Sequence, residues 1–141
     1  GFPMTVHPYV FFAGRAEEAI EFYRTAVGAT VVMLMRNKES PEPHPPGMLP
    51  EGAGDKIMHA TVRIGDSQVM FSDGMCDGKE QFKGFSLVLT VADDGDAERR
   101  FAALADGGKV TMPIGKAFFA SRFGMCTDRF GVEWMVISGQ Q

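Results

Sequence analysis

Cysteine and tryptophan are scarce in this chain of 141 residues, which contains two of the first and one of the second. The two cysteines, Cys76 and Cys126, lie far apart and lack the short spacing that is typical of a metal-binding or redox pair. No signal peptide is recognisable, so we expect both thiols to be reduced rather than joined in a disulfide framework. These features favour a cytoplasmic location.

Long apolar runs and clusters of basic residues are also missing. No stretch approaches the roughly 18 consecutive apolar residues that a membrane-spanning helix needs. Fourteen Lys and Arg stand against 18 Asp and Glu, which gives a net charge of −4, and no basic run is longer than the pair Arg99–Arg100. We therefore expect no membrane and no nucleic acid among the partners of the protein.

Apolar residues, by contrast, are abundant enough for a packed core. They make up 45% of the chain and include 12 Phe and 10 Met, a composition that excludes an intrinsically disordered class. A chain of this length buries enough surface to fold without disulfides or structural metals. We expect a single domain over residues 1–141.

Alternating and helical apolar patterns predict the same order of elements twice. Each half has the pattern of a strand, a helix and three further strands, with one module over 6–73 and a second over 84–138. The helices are predicted near 15–27 and 94–107, where apolar residues recur at helical spacing and glycines end the pattern.

Matches between the halves arise either from the shared patterning of any two βα units or from an internal duplication, which we expect here. When Gly28 is aligned with Gly107, Phe22 also falls on Phe101. A single βαβββ unit would leave one apolar sheet face exposed, so the two units are expected to pack together. The predicted fold class is therefore α+β, with two βαβββ modules that form curved mixed sheets around a cavity.

A polar tract over 37–56 interrupts the first module. It holds five of the eight prolines of the chain and has no apolar periodicity, and its prolines exclude a helix interior and most strand pairing. Structureless loops of about 20 residues are unusual in compact domains and are commonly functional or mobile. We expect this tract to be the most mobile part of the chain and to lie near a pocket mouth or a dimer interface.

A series of short segments resembles the PhnB-like family of the vicinal oxygen chelate superfamily, which includes glyoxalase I, bleomycin-resistance proteins and extradiol dioxygenases. The resemblance depends on the order and spacing of the segments, which cover nearly the whole chain. It implies a glyoxalase/bleomycin-resistance-like fold and a homodimer. One departure is Phe118–Ala120, where relatives tend to carry Phe-Trp-Gly. The matching segments are 8–12, 16–23, 28–29, 56–60, 72–73, 84–87, 122–124, 128, 130–131 and 134.

Enzymes of this superfamily hold a divalent metal with His, Gln and Glu side chains, and the resemblance assigns the corresponding positions in this chain. A generous count gives only two suitable donors, His7 and Glu133, whereas dedicated sites use three or four. We therefore expect no metal and no other cofactor. The assigned positions are His7 or Pro8, Phe71 or Ser72, Ser86, and Met135, with Glu133 on the same strand face as Met135.

Several residues are candidates for binding a ligand. Strand alternation places His59 either in the cavity, where its imidazole could exchange protons, or in water. Tyr9 and Phe11 share a face with His7 and form either a cavity wall or plain core, and Arg122 either binds an anionic group or is solvated. The full set of candidates is His7, Tyr9, Phe11, His59, Phe71, Ser86, Arg122, Glu133 and Trp134.

Three functional hypotheses follow. The leading one is a PhnB-like protein that binds a small molecule of unassigned identity in a cavity, without a catalytic metal. The alternative is an enzyme, either a metal-dependent lyase or dioxygenase of the vicinal oxygen chelate type, or a metal-free enzyme that uses His59 and Tyr9. The third is an interaction module whose pocket is vestigial. No catalytic residue is assigned.

Overall fold

The computed structural model describes residues 3–42 and 44–140, and the chain divides into two compact units, Gly1–Glu80 and Gln81–Gln141. Each unit contains a strand, a helix and three further strands, which confirms the predicted α+β fold class. Unit 1 contains β1 (Tyr9–Phe11), α1 (Ala16–Val27), β2 (Thr30–Arg36), β3 (Ile57–Ile64) and β4 (Ser67–Ser72). Unit 2 contains β5 (Leu87–Val91), α2 (Asp94–Ala105), β6 (Lys109–Ala117), β7 (Ala120–Thr127) and β8 (Glu133–Ser138).

The sheet of unit 1 is mixed and has the order β1-β4-β3-β2. Strand β1 runs parallel to β4, and the other two pairings are antiparallel. The apolar stripe of α1 packs on one face of this sheet, where the Tyr23 ring lies 5.8 Å from that of Phe71 and the Phe12 ring 5.1 Å from it. Val10, Ala60 and Val62 are buried on the same face.

The other face of this sheet, which we call open face 1, is turned away from α1. Side chains alternate along β1, so that Val10 is buried whereas Tyr9 is 40% and Phe11 53% exposed. The strand pairings place Met33, Thr61 and Met70 beside Tyr9 on this face. Open face 1 is therefore apolar in large part and accessible.

Unit 2 repeats this plan, with strand order β5-β8-β7-β6 and β5 parallel to β8. Helix α2 buries Ala97, Phe101 and Leu104, and the covered sheet face carries the buried residues Trp134 and Val136. The opposite face of this sheet is open face 2. No helix in the described part of the chain has the length and apolar content needed to cross a membrane.

Two features depart from the sequence prediction for unit 1. The first strand was expected from Val6, but pairing begins at Tyr9, because Pro8 has no N–H to donate and contributes only its carbonyl, to Met70. In β3 a register shift near Met35 and Arg36 disturbs strict alternation. Ile57 is therefore fully buried although His59 lies on open face 1.

Candidate functional site

A cavity of about 430 Å³ lies in unit 1. Its inner wall is the end of the sheet, where β1 finishes at Phe11, β4 finishes at Ser72 and β3 contributes Met58. Two loops complete it, the proline-rich tract over 37–56 and the segment 73–80. The tract was expected near a pocket mouth, and it contributes to the wall of this cavity.

The cavity has an apolar wall and a polar rim. Its volume is within the range of about 300–1,000 Å³ that small-molecule sites have, and a mixed lining of this kind both excludes water and orients a ligand. The apolar groups include Phe11, Met48, Leu49, Met58 and Met75, and the polar groups include Asn37, His44, Ser72, Asp73, Asp77, Lys79 and Glu80.

The proline-rich tract is tied to the rest of unit 1 at both of its ends. Asn37 is buried, its side-chain amide donates to the Ala53 carbonyl at 2.9 Å, and its backbone N–H donates to the Lys56 carbonyl at 3.0 Å. At the preceding residue, Arg36 forms an ion pair with Glu17 of α1 at 2.6 Å, and this hydrogen bond lowers the pKa of the Glu17 carboxyl. The Asn37 bonds join the two ends of the tract to each other, and Lys56 Nζ donates to the Gly14 carbonyl at 2.8 Å. The tract is thus anchored to α1 and to the residues just before it.

The carboxylate of Asp73 holds the floor of the cavity together. Oδ1 accepts the backbone N–H groups of Gly14 and Ala16, each at 2.8 Å, and Oδ2 accepts that of Ile57 at 2.8 Å. The side chain therefore joins the end of β4 to the start of α1 and the start of β3, and it satisfies donors that the first turn of a helix leaves unpaired. Asp73 is 1% exposed, and we assign it a structural role.

Tyr9, His59 and Thr61 form a hydrogen-bonded chain on open face 1. The Tyr9 hydroxyl lies 2.9 Å from His59 Nδ1, and His59 Nε2 lies 3.1 Å from Thr61 Oγ1. If the Tyr9 hydroxyl donates to Nδ1, then Nε2 carries the proton and donates to Thr61; the opposite tautomer reverses every donor. The chain can therefore pass a proton between Thr61 and Tyr9.

The remaining sequence candidates are spread over both units. His7 is exposed ahead of β1, Ser86 is half-buried ahead of β5, and Glu133 is half-buried at the start of β8. None of the three lines the unit 1 cavity, to which Phe11 alone of the predicted set contributes.

Two aromatic candidates belong to the hydrophobic cores. Phe71 is 1% exposed and packs between Phe12 and Tyr23, and Trp134 is 3% exposed with its indole N–H donating to Asp128 Oδ2 at 2.9 Å. Side chains this deeply buried contribute packing energy, so neither lies where a ligand can reach it.

Arg122 is placed on the covered side of the unit 2 sheet rather than in a ligand cavity. Its Nε donates to Glu98 at 2.8 Å, and its Nη1 lies 3.6 Å from Asp94, both on α2. The hydrogen bonds of Ser121 and Ser138 lower the pKa of Asp94, which keeps that carboxylate available to the guanidinium. The charge of Arg122 therefore serves the contact between β7 and α2.

The residues at the superfamily's metal positions do not fit a divalent ion. Phe71 has no donor atom and lies in the core, Ser86 offers a neutral hydroxyl, and Met135 offers a soft thioether. Residues 3–42 and 44–140 contain no group of three or more His, Cys, Asp or Glu side chains arranged to hold a metal. The described residues therefore offer no divalent-metal site on which a catalytic step could depend.

Sequence reasoning missed most of the cavity lining. Asn37, Leu49, Met75 and Lys79 lie in loops without periodicity, so no pattern marked them individually. The usable signal was the proline-rich tract itself, whose length and composition indicated a functional loop. The role of Asp73 was missed as well, because sequence does not reveal which distant N–H groups a carboxylate accepts.

Comparison with known proteins places the chain in a family. The family described as 3-demethylubiquinone-9 3-methyltransferase matches residues 4–137. Protein YjdN of Escherichia coli K12 is 39% identical over an alignment of 141 positions, which covers 94% of this chain and 94% of that protein.

Solved structures agree with this placement. Protein PA1353 from Pseudomonas aeruginosa is 41% identical with a TM-score of 0.84, covering 99% of this chain and 100% of that one. The PhnB protein from Bacillus cereus, described as a putative 3-demethylubiquinone-9 3-methyltransferase, is 25% identical with a TM-score of 0.77, covering 96% and 99%. The fosfomycin resistance protein FosX from Mesorhizobium loti, 13% identical with a TM-score of 0.64 over 97% and 92%, shares the fold. The chain belongs to the PhnB-like family, and its fold is that of the glyoxalase, or vicinal oxygen chelate, proteins.

Proposed function

We propose that this protein binds a small organic molecule in the cavity of unit 1 and does so without a catalytic metal. The observation that carries the proposal is the cavity itself, with about 430 Å³ of space between the end of the sheet and two loops. Phe11, Leu49 and Met58 supply apolar area, and Lys79 supplies a charged hydrogen-bond donor. The flexible thioethers of the lining adapt to ligands of irregular shape.

The methyltransferase activity in the family's description is not part of this proposal. A methyl donor bound on a doubly wound sheet needs parallel strands with helices on both faces. The described residues form two four-stranded mixed sheets, each with one helix, and so offer no such crevice.

Narrowing the cavity tests the binding proposal. In Met75→Trp, the larger ring projects from a half-exposed position in the lining, and we expect ligand affinity to fall about tenfold or more with little loss of stability. The measurement is calorimetric titration of any ligand found by a thermal-shift screen.

Met4→Trp is the matched control, because Met4 is almost fully exposed and lies outside the cavity lining. If the Met75→Trp and Met4→Trp variants bind the ligand with equal affinity, the unit 1 cavity is not the binding site.

The Tyr9–His59–Thr61 chain supports a second candidate function, a metal-free enzyme that transfers protons. Tyr9 is accessible on open face 1, and its ring lies 5.0 Å from that of Phe11, which also lines the cavity. A tyrosine hydroxyl bonded to an imidazole is a plausible general acid or base.

For this enzyme we expect Tyr9→Phe and His59→Gln to abolish turnover of a ligand while leaving its affinity nearly unchanged. The measurement is a product assay in parallel with calorimetry. Undiminished turnover in both variants would contradict the role of the pair, and binding without turnover in the unmodified protein would leave sequestration as the function.

We further propose that the protein is a cytoplasmic homodimer. Each sheet has two edge strands, β1 and β2 in unit 1 and β5 and β6 in unit 2. Large apolar side chains are exposed on or beside these edges, including Phe11 at 53% and Val88 at 60%. Unpaired edges and exposed apolar area are features that association covers.

Sedimentation equilibrium at micromolar concentration is expected to give the mass of two chains, and Val88→Lys is expected to shift the equilibrium toward one chain. Lys116→Ala, on the exposed part of β6, is the control. A single species with the mass of one chain at every concentration would rule out the dimer.

A further inference from the structure

A row of three methionines crosses open face 2. Met112 of β6 pairs with Met125 of β7, and Met125 pairs with Met135 of β8. Directly paired residues on adjacent strands project from the same side of a sheet. Cys126 and Trp134, which adjoin two of them in sequence, are buried on the side of α2, so Met125 and Met135 lie on the opposite, open side. Met112 lies between two register shifts of β6, and its pairing with Met125 assigns it to the same side.

The register brings the three sulfur atoms within reach of one another. Directly paired residues in an antiparallel sheet have Cβ atoms about 4.5–5.5 Å apart. A methionine side chain has three rotatable bonds beyond that point and bends easily. The two outer thioethers can therefore turn toward the sulfur of Met125, the central residue, and Met112 is 47% exposed and free to do so.

The chemistry of three thioethers selects a particular kind of ion. Thioether sulfur is neutral and polarisable, and it prefers soft ions of low charge such as Cu(I) over zinc, iron, manganese or nickel, which need nitrogen and oxygen donors. The adjoining pairs on one side are aromatic and aliphatic, with Phe123 opposite Ile137. On the other side Thr127 pairs with Glu133, whose carboxylate lies on the same face as Met135. The soft donor set, and not an apolar surround, therefore selects the ion.

We propose that Met112, Met125 and Met135 form a binding site for a soft monovalent metal ion, Cu(I) or Ag(I). The site shares the Met135 position with the divalent site that the resemblance assigns, but its other two residues and its donor type are different. It does not depend on the small-molecule function proposed for unit 1, because all three ligands belong to unit 2.

Silver titration of the full chain, followed through methionine methyl signals, tests this proposal. The experiment uses carbon-13-labelled methionine methyl groups and silver nitrate in chloride-free buffer, with Cys76→Ser as the background because Cys76 is partly exposed. We expect the methyl signals of Met112, Met125 and Met135 to shift together and to saturate at about one silver ion per chain. Zinc chloride should leave them in place.

Two substitutions test whether Met125 is a ligand of the silver ion. Met125→Leu conserves volume and so preserves the fold, and we expect it to weaken silver binding about tenfold or more. Met33→Leu is the control, because Met33 and Met70 of unit 1 are separated by Thr61 in the corresponding row and lack the central sulfur.

Binding at the remaining thiol would overturn the proposal. Burial first, and Asp128 second, raise the pKa of Cys126 to about 11, so this buried thiol is a poor competitor at neutral pH. If silver binds while the three methyl signals stay in place, the ion is held by Cys126 and the methionine site does not exist. Equal shifts of all ten methionines, or unchanged affinity in Met125→Leu, would contradict it as well.

Discussion

Replacing Asp73 with alanine is expected to destabilise unit 1 by about 3–5 kcal/mol. Three backbone N–H groups, those of Gly14, Ala16 and Ile57, lose their acceptor at once, and each lies at 2.8 Å from the carboxylate in the folded protein. Asp73 is buried, so water cannot replace the missing bonds without a cavity forming. Chemical denaturation followed by circular dichroism measures the loss.

The Asp73→Asn variant tests how much of the stability depends on having two accepting oxygens, Oδ1 for Gly14 and Ala16 and Oδ2 for Ile57. Its amide keeps one accepting oxygen but presents an NH₂ group to the donors on the other side. We therefore expect Asp73→Asn to be destabilised by less than Asp73→Ala but still clearly. Asp66→Ala, in the exposed turn between β3 and β4, is the control and should change little. A stability of Asp73→Ala equal to that of the control would show that the carboxylate does not hold α1, β3 and β4 together.

Adding one methyl group at Gly124 is expected to disrupt unit 2. A Cβ at this position would lie 2.8 Å from a Phe101 ring carbon and 2.9 Å from the Ile114 Cα, closer than van der Waals contact allows. Phe101 is a buried residue of α2, and Ile114 presents its backbone, so relief requires α2 or β6 to move. We expect Gly124→Ala to cost about 3 kcal/mol or more and to lower Tm by about 10 °C or more.

Gly115→Ala is the matched control on the neighbouring strand. A Cβ there would meet no atom of the described residues within 4 Å, and Gly115 pairs with Phe123 on open face 2. The same substitution should therefore change Tm by only a few degrees, since one exposed methyl neither clashes nor packs. Equal Tm values for the two variants in differential scanning calorimetry would mean that α2 does not lie over Gly124.

The sequence predicted the elements of this fold closely because their signals are local. Helix α1 ends at Val27 and α2 begins at Asp94, as expected, and their other ends lie within two residues of the predicted ones. Apolar periodicity and the left-handed Gly28 that ends α1 are encoded within a few residues of the place where they act. The fold class follows from the order of such elements.

The site was less predictable because its contacts are distant in sequence. Tyr9 and His59 were both named as candidates, yet their hydrogen bond exists only because β1 and β3 flank β4. Phe71 and Trp134 were named from a resemblance that does not report burial, and both are core residues. Alternation cannot tell which side of a strand a helix will cover, so core and cavity look alike in sequence.

Chemical-shift mapping of the nitrogen-15-labelled protein against a library of small organic molecules, in parallel samples with and without EDTA, tests the central claim most directly. The proposal predicts that some members of the library bind and shift the amide signals of the cavity lining, among them those of Asn37, Leu49 and Gly74. The shifts should be the same with and without EDTA. Binding that appears only after zinc, nickel or manganese is added, or ligands that consistently shift amides outside this lining, would contradict a metal-independent site in the cavity of unit 1.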